Sequence, residues 1–283
     1  MAANKYVCKV CGYVHEGNEA PSVCPLCKAG ASEFDAVKAP KKGLDTNSDV
    51  YAIIYSAVVV VIVAFLLAGV SSLLSPKQID NIRLDKKKQI LASLNIKNQA
   101  DAAKVYDEVI KADPVVNAQG AVVTENGGFE VANDAVNDDN LPLYIAEVDG
   151  AKKYIIPMTG NGLWGGIWGY LALNDDCNTI YGVYFSHAGE TPGLGAEIAS
   201  DKFQSRFPGR VVYRDGQVVL SVVKKVADES VEVNAVSGAT ITCNGVDDML
   251  KRKLAPYNTY LENCVKTNVE PATAEAEAQV VEE

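Results

Sequence analysis

Hydrophobic and polar positions fall into three regimes along the chain. From Val50 to Leu74 the segment VYAIIYSAVVVVIVAFLLAGVSSLL holds no charged residue. A helix rising about 1.5 Å per residue needs roughly 20 residues to cross about 30 Å of hydrocarbon. One membrane-spanning helix is therefore predicted over residues 50–74. Tyr51 and Tyr55 sit at one interface, with Pro76 and Lys77 beyond the other. Soluble cores rarely carry so long a charge-free run, and the motif-bearing segment ahead of it argues against a cleaved leader. Ile79, Ile82, Ile90, Leu91 and Leu94 then recur on a helical period with charges between them. This predicts an amphipathic helix over 75–95, whose apolar side either docks on a neighbouring subunit or packs on its own domain.

From Leu143 the pattern changes to short β-rich runs bounded by turns: LYIAEV, KKYIIPM, TIYGVYFS, RVVYR, QVVLSVV and VEVNAVSG. A last helix is predicted from about Val246 to Cys264, interrupted at Pro256. The mixture predicts an α+β domain over 96–265 with a mainly antiparallel sheet. Residues 266–283 are acidic and lack aromatics, and read as a solvated, disordered tail.

Composition narrows the function classes. The 283 residues are 48% hydrophobic, which excludes wholesale disorder, and the net charge of −10 argues against a nucleic-acid partner. Only two histidines are present, His15 and His187, so a histidine-based catalytic centre has little to be built from. No GxGxxG follows a strand and no GxxxxGK[ST] occurs.

The cysteines are segregated. CKVCGYVHEGNEAPSVCPLCKAG contains two CxxC pairs, Cys8/Cys11 and Cys24/Cys27. Two such knuckles place four thiolates at the corners of a tetrahedron, as zinc or a single iron requires. A domain over 1–38 is too small to fold well on burial alone, so metal binding supplies much of its folding free energy. Residues 39–49, with Pro40, Gly43, Asn47 and Ser48, read as a tether. Orientation is contested. Lys38, Lys41 and Lys42 precede the apolar run, whereas Lys77, Arg83, Lys86, Lys87 and Lys88 follow it. That count does not favour a cytoplasmic N-terminus, while paired thiols suit a reducing cytoplasm.

Two glycine-dense loops stand out, Gly160–Leu173 with both tryptophans and His187–Ile198. Glycines admit close backbone approach, and Trp and Leu offer flat apolar walls, a combination that suits a planar cofactor or else simple turns with core aromatics. Ser237-Gly238-Ala239-Thr240 leads from a strand into the last helix. A hydroxyl there is either an N-cap or part of an anion site, since free N–H groups and the helix dipole face it.

These motifs carry two resemblances. CxxCGYVHEG, EAP and CPxC resemble the rubredoxin-like domain of rubrerythrins, which implies one iron cycling between ferrous and ferric; zinc is the alternative. Lys28 stands where rubredoxins carry glycine. The run from about Val50 to Val265 resembles the FMN-binding C-type subunit of sodium-translocating NADH:quinone oxidoreductases through LDKKKQIL, GLWxxIWGYLAL, NTIYGVYF, HxGETPGLGAEI and SGATITxNGV. The related G-type subunit of Rnf-type ferredoxin:NAD oxidoreductases shares SGAT and ETPGLG and matches less well. A non-redox zinc-ribbon scaffold is the alternative from another class.

The resemblance implies FMN joined through its phosphate to Thr240, beside Ser237, Gly238 and Ala239, and installed by a flavin transferase. Leu163, Trp164, His187, Glu190, Thr191, Gly193 and Leu194 would frame the flavin. Asn234 stands where the family's attachment motif usually has aspartate. The expected protein is thus a multi-domain membrane protein, single-pass in the inner membrane. Its N-terminal domain would be cytoplasmic and its FMN domain periplasmic. Its partners would be the other subunits of a respiratory complex. A lone transmembrane helix without charge offers no ion path, so translocation is expected of those partners.

Overall fold

The computed structural model describes residues 5–37, 46, 48–132 and 135–265. The tail expected at 266–283 and most of the tether expected at 39–49 lie outside the described residues. The chain divides into two compact units, residues 1–76 and 77–283.

The first unit contains a three-stranded antiparallel sheet of β1 (Lys5–Cys8), β2 (Val14–Glu16) and β3 (Phe34–Val37), with β1 in the middle. Its small core is Cys8, Cys24 and Phe34, too little apolar area to hold so short a domain by itself.

Helix α1 runs without interruption from Asp49 to Ser93, through Pro76. One continuous helix therefore covers both the apolar run and the amphipathic segment. Among the described residues it is the helix long and apolar enough to cross a membrane, and its apolar window is wholly exposed.

In the second unit α2 (Ala102–Val109) is N-capped by Asp101, which accepts from the Lys104 N–H at 3.1 Å. A five-stranded antiparallel sheet follows. It comprises β4 (Ile110–Ala112), β8 (Tyr144–Val148), β9 (Ala151–Asn161), β10 (Gly166–Leu173) and β11 (Ile180–His187), in the order β11-β10-β9-β8-β4. Between β4 and β8 the short strands β5 (Val115–Val116), β6 (Val122–Thr124) and β7 (Leu141–Pro142) form a separate antiparallel sheet. After the sheet come α3 (Asp201–Gln204), the β12 (Tyr213–Arg214) and β13 (Gln217–Val218) hairpin, and β14 (Ser221–Val223) paired in parallel with β15 (Glu232–Asn234).

The large sheet is buried on both faces. Tyr154, Ile156 and Met158 of β9 and Leu171 and Leu173 of β10 share one core with Val246, Met249 and Leu250 of α4 (Thr240–Leu254). The alternate residues Ile155, Tyr170 and Ala172 pack with Ile90, Leu91, Leu94 and Tyr106. This is the period-2 alternation of a pleated strand with a layer on each side. Ile90, Leu91 and Leu94 thus pack on their own domain, whereas Ile79 and Ile82 are exposed. Gly166–Leu173, read above as part of a glycine-dense loop, is a central strand. Trp168 within it donates its indole N–H to Gln89 at 3.0 Å and is not a wall of the site. Helix α4 gives way at Pro256 to a 3₁₀ turn, Ala255–Tyr257, and residues 258–265 are helical again.

Candidate functional site

The two CxxC knuckles have matching geometry. The Gly12 N–H donates to the Cys8 carbonyl at 2.9 Å, and the Lys28 N–H donates to the Cys24 carbonyl at 2.9 Å. Both residues adopt left-handed φ, +74° and +58°. Each turn aims backbone N–H groups at sulfur: Tyr13 at Cys11, Ala29 at Cys27, and Cys27 and Leu26 at Cys24. All four Sγ atoms lie within 4.8 Å of one another. Cys8 Sγ is 3.6 Å from that of Cys27, and Cys11 Sγ is 3.5 Å from that of Cys24. A tetrahedron with metal–sulfur bonds of about 2.3 Å has edges of about 3.8 Å, so the donor set fits a four-thiolate metal. Burial opposes ionisation of Cys24, yet the amides of Cys27 and Leu26 hold it down to about 7. Cys27 has the Ala29 amide in its favour, but burial and the neighbouring sulfurs push it up to about 12. Four sulfurs this close ionise together only around a cation.

The second cluster is built around Glu190, 4% exposed. It lies just past β11, in a turn where its own N–H donates to His187 Nδ1 at 3.2 Å. Its Oε1 accepts the Trp164 N–H at 2.8 Å, and the Leu163 N–H also donates to the carboxylate. Its Oε2 accepts the Thr242 hydroxyl at 2.6 Å. One carboxylate therefore joins the β9–β10 turn, the β11 end and the first turn of α4. Burial alone would raise its pKa. The Thr242 hydroxyl, the Trp164 and Leu163 amides and His187 outweigh burial and hold it below the ordinary value. Glycines make room for it: a Cβ on Gly162 would lie 2.5 Å from Oε1, and one on Gly195 would lie 2.3 Å from Oε2.

Beside this clamp opens a cleft of about 210 Å³ lined by Leu163, Glu190, Thr191, Leu194, Gly238, Ala239 and Thr240 together with Gly195, Ile241 and Thr242. Seven of the expected residues thus meet. Thr240 is the exposed first residue of α4; Ala239 takes the cap position, and no side chain caps the terminus. The N–H groups of this first turn point out of the helix without intrahelical acceptors. Leu163, Leu194 and Ile241 are 46%, 43% and 58% exposed, a high figure for three apolar side chains around one cleft. The cradle fits a phosphate ester at the helix terminus and a flat apolar ring beside it. Ser237, Trp164, His187 and Gly193 do not line the cleft. His187 fixes the Glu190 turn, the Trp164 ring points outward at 68% exposure, and Gly193 forms a left-handed turn at φ +74°. Thr242 and Ile241 were not anticipated as site residues, although both lie within two positions of Thr240. Asn234 ends β15, and its carbonyl accepts from Arg206 Nη1 at 2.6 Å.

Comparison with known proteins matches this geometry. Residues 162–255 match the model of the FMN-binding domain, and residues 6–35 that of the rubredoxin-like domain of rubrerythrin. The C-type subunit of the Na(+)-translocating NADH-quinone reductase of Pasteurella multocida is 31% identical over 66% of this chain and 83% of its own length. Its counterpart in Pseudomonas aeruginosa is 30% identical over 78% of this chain and 97% of its own. The chain belongs to the family of C-type subunits of Na(+)-translocating NADH-quinone reductases. A crystal structure of the same type of subunit, from Parabacteroides distasonis, aligns with a TM-score of 0.63 at 41% identity, over 66% of this chain and 96% of that one. The C-type region and the four-cysteine, rubredoxin-like domain are thus joined in one chain.

Proposed function

We propose that the chain is the FMN-carrying electron-transfer subunit of a membrane NADH:quinone reductase, with the flavin phosphate esterified to Thr240 and one iron held by Cys8, Cys11, Cys24 and Cys27. The observation that carries the reading is the exposed Thr240 hydroxyl on an uncapped helix terminus, beside the apolar cleft of Leu163, Leu194 and Ile241. Bound FMN supplies reversible electron transfer. The chain's own residues hold it: Thr240 gives the acceptor oxygen, the first turn of α4 faces the phosphate with free N–H groups, and the exposed leucines cover apolar ring surface. Glu190 keeps the three walls in register.

Helix α1 anchors the chain in the inner membrane by its charge-free half. The rubredoxin-like domain lies on the cytoplasmic side and the flavin domain on the periplasmic side, with the domain limits given above. The partners are the remaining subunits of the complex, which move the ion, and a flavin transferase that loads Thr240. Covalent attachment suits a flavin held where no free pool replaces it. The four-sulfur iron adds a one-electron relay on the cytoplasmic side.

The test is the intact mass of the denatured full-length chain, co-expressed with a flavin transferase, beside Thr240→Ala. An FMN-sized increment that disappears in the variant is expected. Its absence from the wild-type chain would remove the covalent reading.

A further inference from the structure

The segment LDKKKQIL, Leu84–Leu91, and the indole of Trp168 take no part in the flavin cleft. They come together beside a second cavity of the same unit, of about 390 Å³. None of the residues around this cavity lines the flavin cleft. Its volume is that of a site for a small organic molecule.

Each wall is held by bonds of its own. The C-terminal half of α1 presents Asp85, Lys88, Gln89 and Ala92, which are three or four positions apart and so share a face. Gln89 is fixed at both ends of its amide: Oε1 accepts the Trp168 indole N–H at 3.0 Å, and Nε2 donates to Asp85 Oδ2 at 2.6 Å. A second wall comes from Asp201 and Gln204 of α3, a helix that Ser200 caps through the Phe203 N–H at 3.3 Å. Gln204 is only 6% exposed, and its Nε2 donates to the Phe185 carbonyl at 3.1 Å. With that nitrogen engaged, Oε1 is its acceptor for an occupant. Buried Leu91 and Ala102 and half-buried Ile96 give the cavity its apolar lining.

The charges around the cavity balance, Asp85 and Asp201 against Lys88 and Lys97. Lys97 and Asp201 neutralise each other in an ion pair. Asp85 and Lys88 sit about one helical turn apart, and among the described residues Lys88 has no ion-pair partner. A plain anion would meet the Asp85 carboxylate here, and a plain cation would meet Lys88. A molecule carrying both charges satisfies both residues.

We propose that this cavity binds a small zwitterion with an apolar body, the chemistry of a free aliphatic or aromatic α-amino acid. Asp85 and Gln204 Oε1 accept from its ammonium group, Lys88 donates to its carboxylate, and Leu91, Ile96 and Ala102 cover its side chain. Because Gln89, Asp201 and Gln204 are already held in place, binding orders little of the protein. The site rests on neither the flavin nor the metal reading.

The test is isothermal titration calorimetry of the purified full-length chain in detergent with L-leucine and with L-phenylalanine. Saturable binding of at least one of them is expected, with a Kd below about 1 mM. Leucinamide lacks the carboxylate and isocaproate lacks the ammonium group, and each should bind about ten-fold or more weakly than leucine. Lys88→Gln should bring leucine down to the level of leucinamide, and Asp85→Asn should bring it down to that of isocaproate. Both residues are exposed, and asparagine at position 85 keeps an acceptor for Gln89. The proposal is overturned if neither amino acid binds saturably, if the two analogues bind the wild-type chain as tightly as leucine, or if both variants bind leucine unchanged. The analogue series is read on the wild-type chain and needs no variant to fold.

Discussion

Thr242 Oγ1 donates to Glu190 Oε2 at 2.6 Å, and so a hydroxyl in the first turn of α4 is bound to a carboxylate 52 positions earlier in the chain. The other oxygen of that carboxylate serves the β9–β10 turn. Glu190→Ala would leave the Thr242 hydroxyl and the Trp164 and Leu163 N–H groups without their acceptor. At about 1–3 kcal/mol for a buried group left unsatisfied, we expect a loss of about 2–4 kcal/mol, read by denaturant unfolding. Glu190→Gln keeps the shape and removes the charge. Because the Glu190 pKa is lowered in the fold, the charge stabilises fully above its ordinary value of 4.5 and is lost as the pH falls below it. The stability gap between wild type and Glu190→Gln should therefore be constant near neutrality and close in acid. A gap independent of pH down to about 3 would mean that the charge contributes nothing.

Lys28 occupies in the second knuckle the place that Gly12 holds in the first, and both are left-handed. A side chain in that region costs about 1 kcal/mol relative to glycine, and Lys28 is exposed, with no buried contact to offset the cost. Lys28→Gly should stabilise the metal domain by about 0.5–1 kcal/mol. Thermal loss of the metal–thiolate absorbance should shift upward by several degrees. A downward shift would show that the lysine stem supports the knuckle.

The ease of reading these sites from sequence followed from how local their chemistry is. Cys8, Cys11, Cys24 and Cys27 sit in two short motifs whose spacing already implies a tetrahedron, and Thr240 sits in a four-residue motif at a helix start. Gly166–Leu173 was harder. Its glycines signal turns, but Gly169 is a strand residue where a Cβ would lie 2.3 Å from the Tyr184 carbonyl. Close strand packing and a turn draw on the same residue type. The clamp was hidden for a different reason: Glu190 is part of a visible motif, but its partners Thr242 and Trp164 reach it only through the fold. The continuous helix α1 shows the same limit, since the pattern divides it into a spanning helix over 50–74 and an amphipathic helix over 75–95, whereas the backbone runs unbroken through Pro76.

Leu194 lines the cleft together with Leu163 of the β9–β10 turn, and its Cδ2 lies 2.8 Å from where a Cβ on Gly238 would stand. It is 43% exposed, so truncation removes little burial from the flavin-free chain. Leu194→Ala should change the stability of that chain by less than about 0.5 kcal/mol. In the FMN-loaded chain the ring loses apolar cover, and quenching of flavin fluorescence by iodide should rise about two-fold. A large loss of stability without flavin would instead make Leu194 a core residue.

The four-sulfur domain has a core of three residues, so ligand loss and unfolding should be one event. Cys8→Ser with Cys11→Ser removes half of the donor set. The bound metal should fall from one per chain to none, and the red colour of ferric iron on four thiolates should vanish. A colourless wild-type chain with one bound metal would mean zinc instead. Because the second unit has its own core, the FMN-sized mass increment on Thr240 should survive the double substitution. In the assembled complex, the proposed relay predicts that NADH-driven reduction of the flavin proposed on Thr240 slows several-fold in this double variant. Unchanged turnover with unchanged flavin reduction would place the iron off the main electron path and leave the domain a docking role.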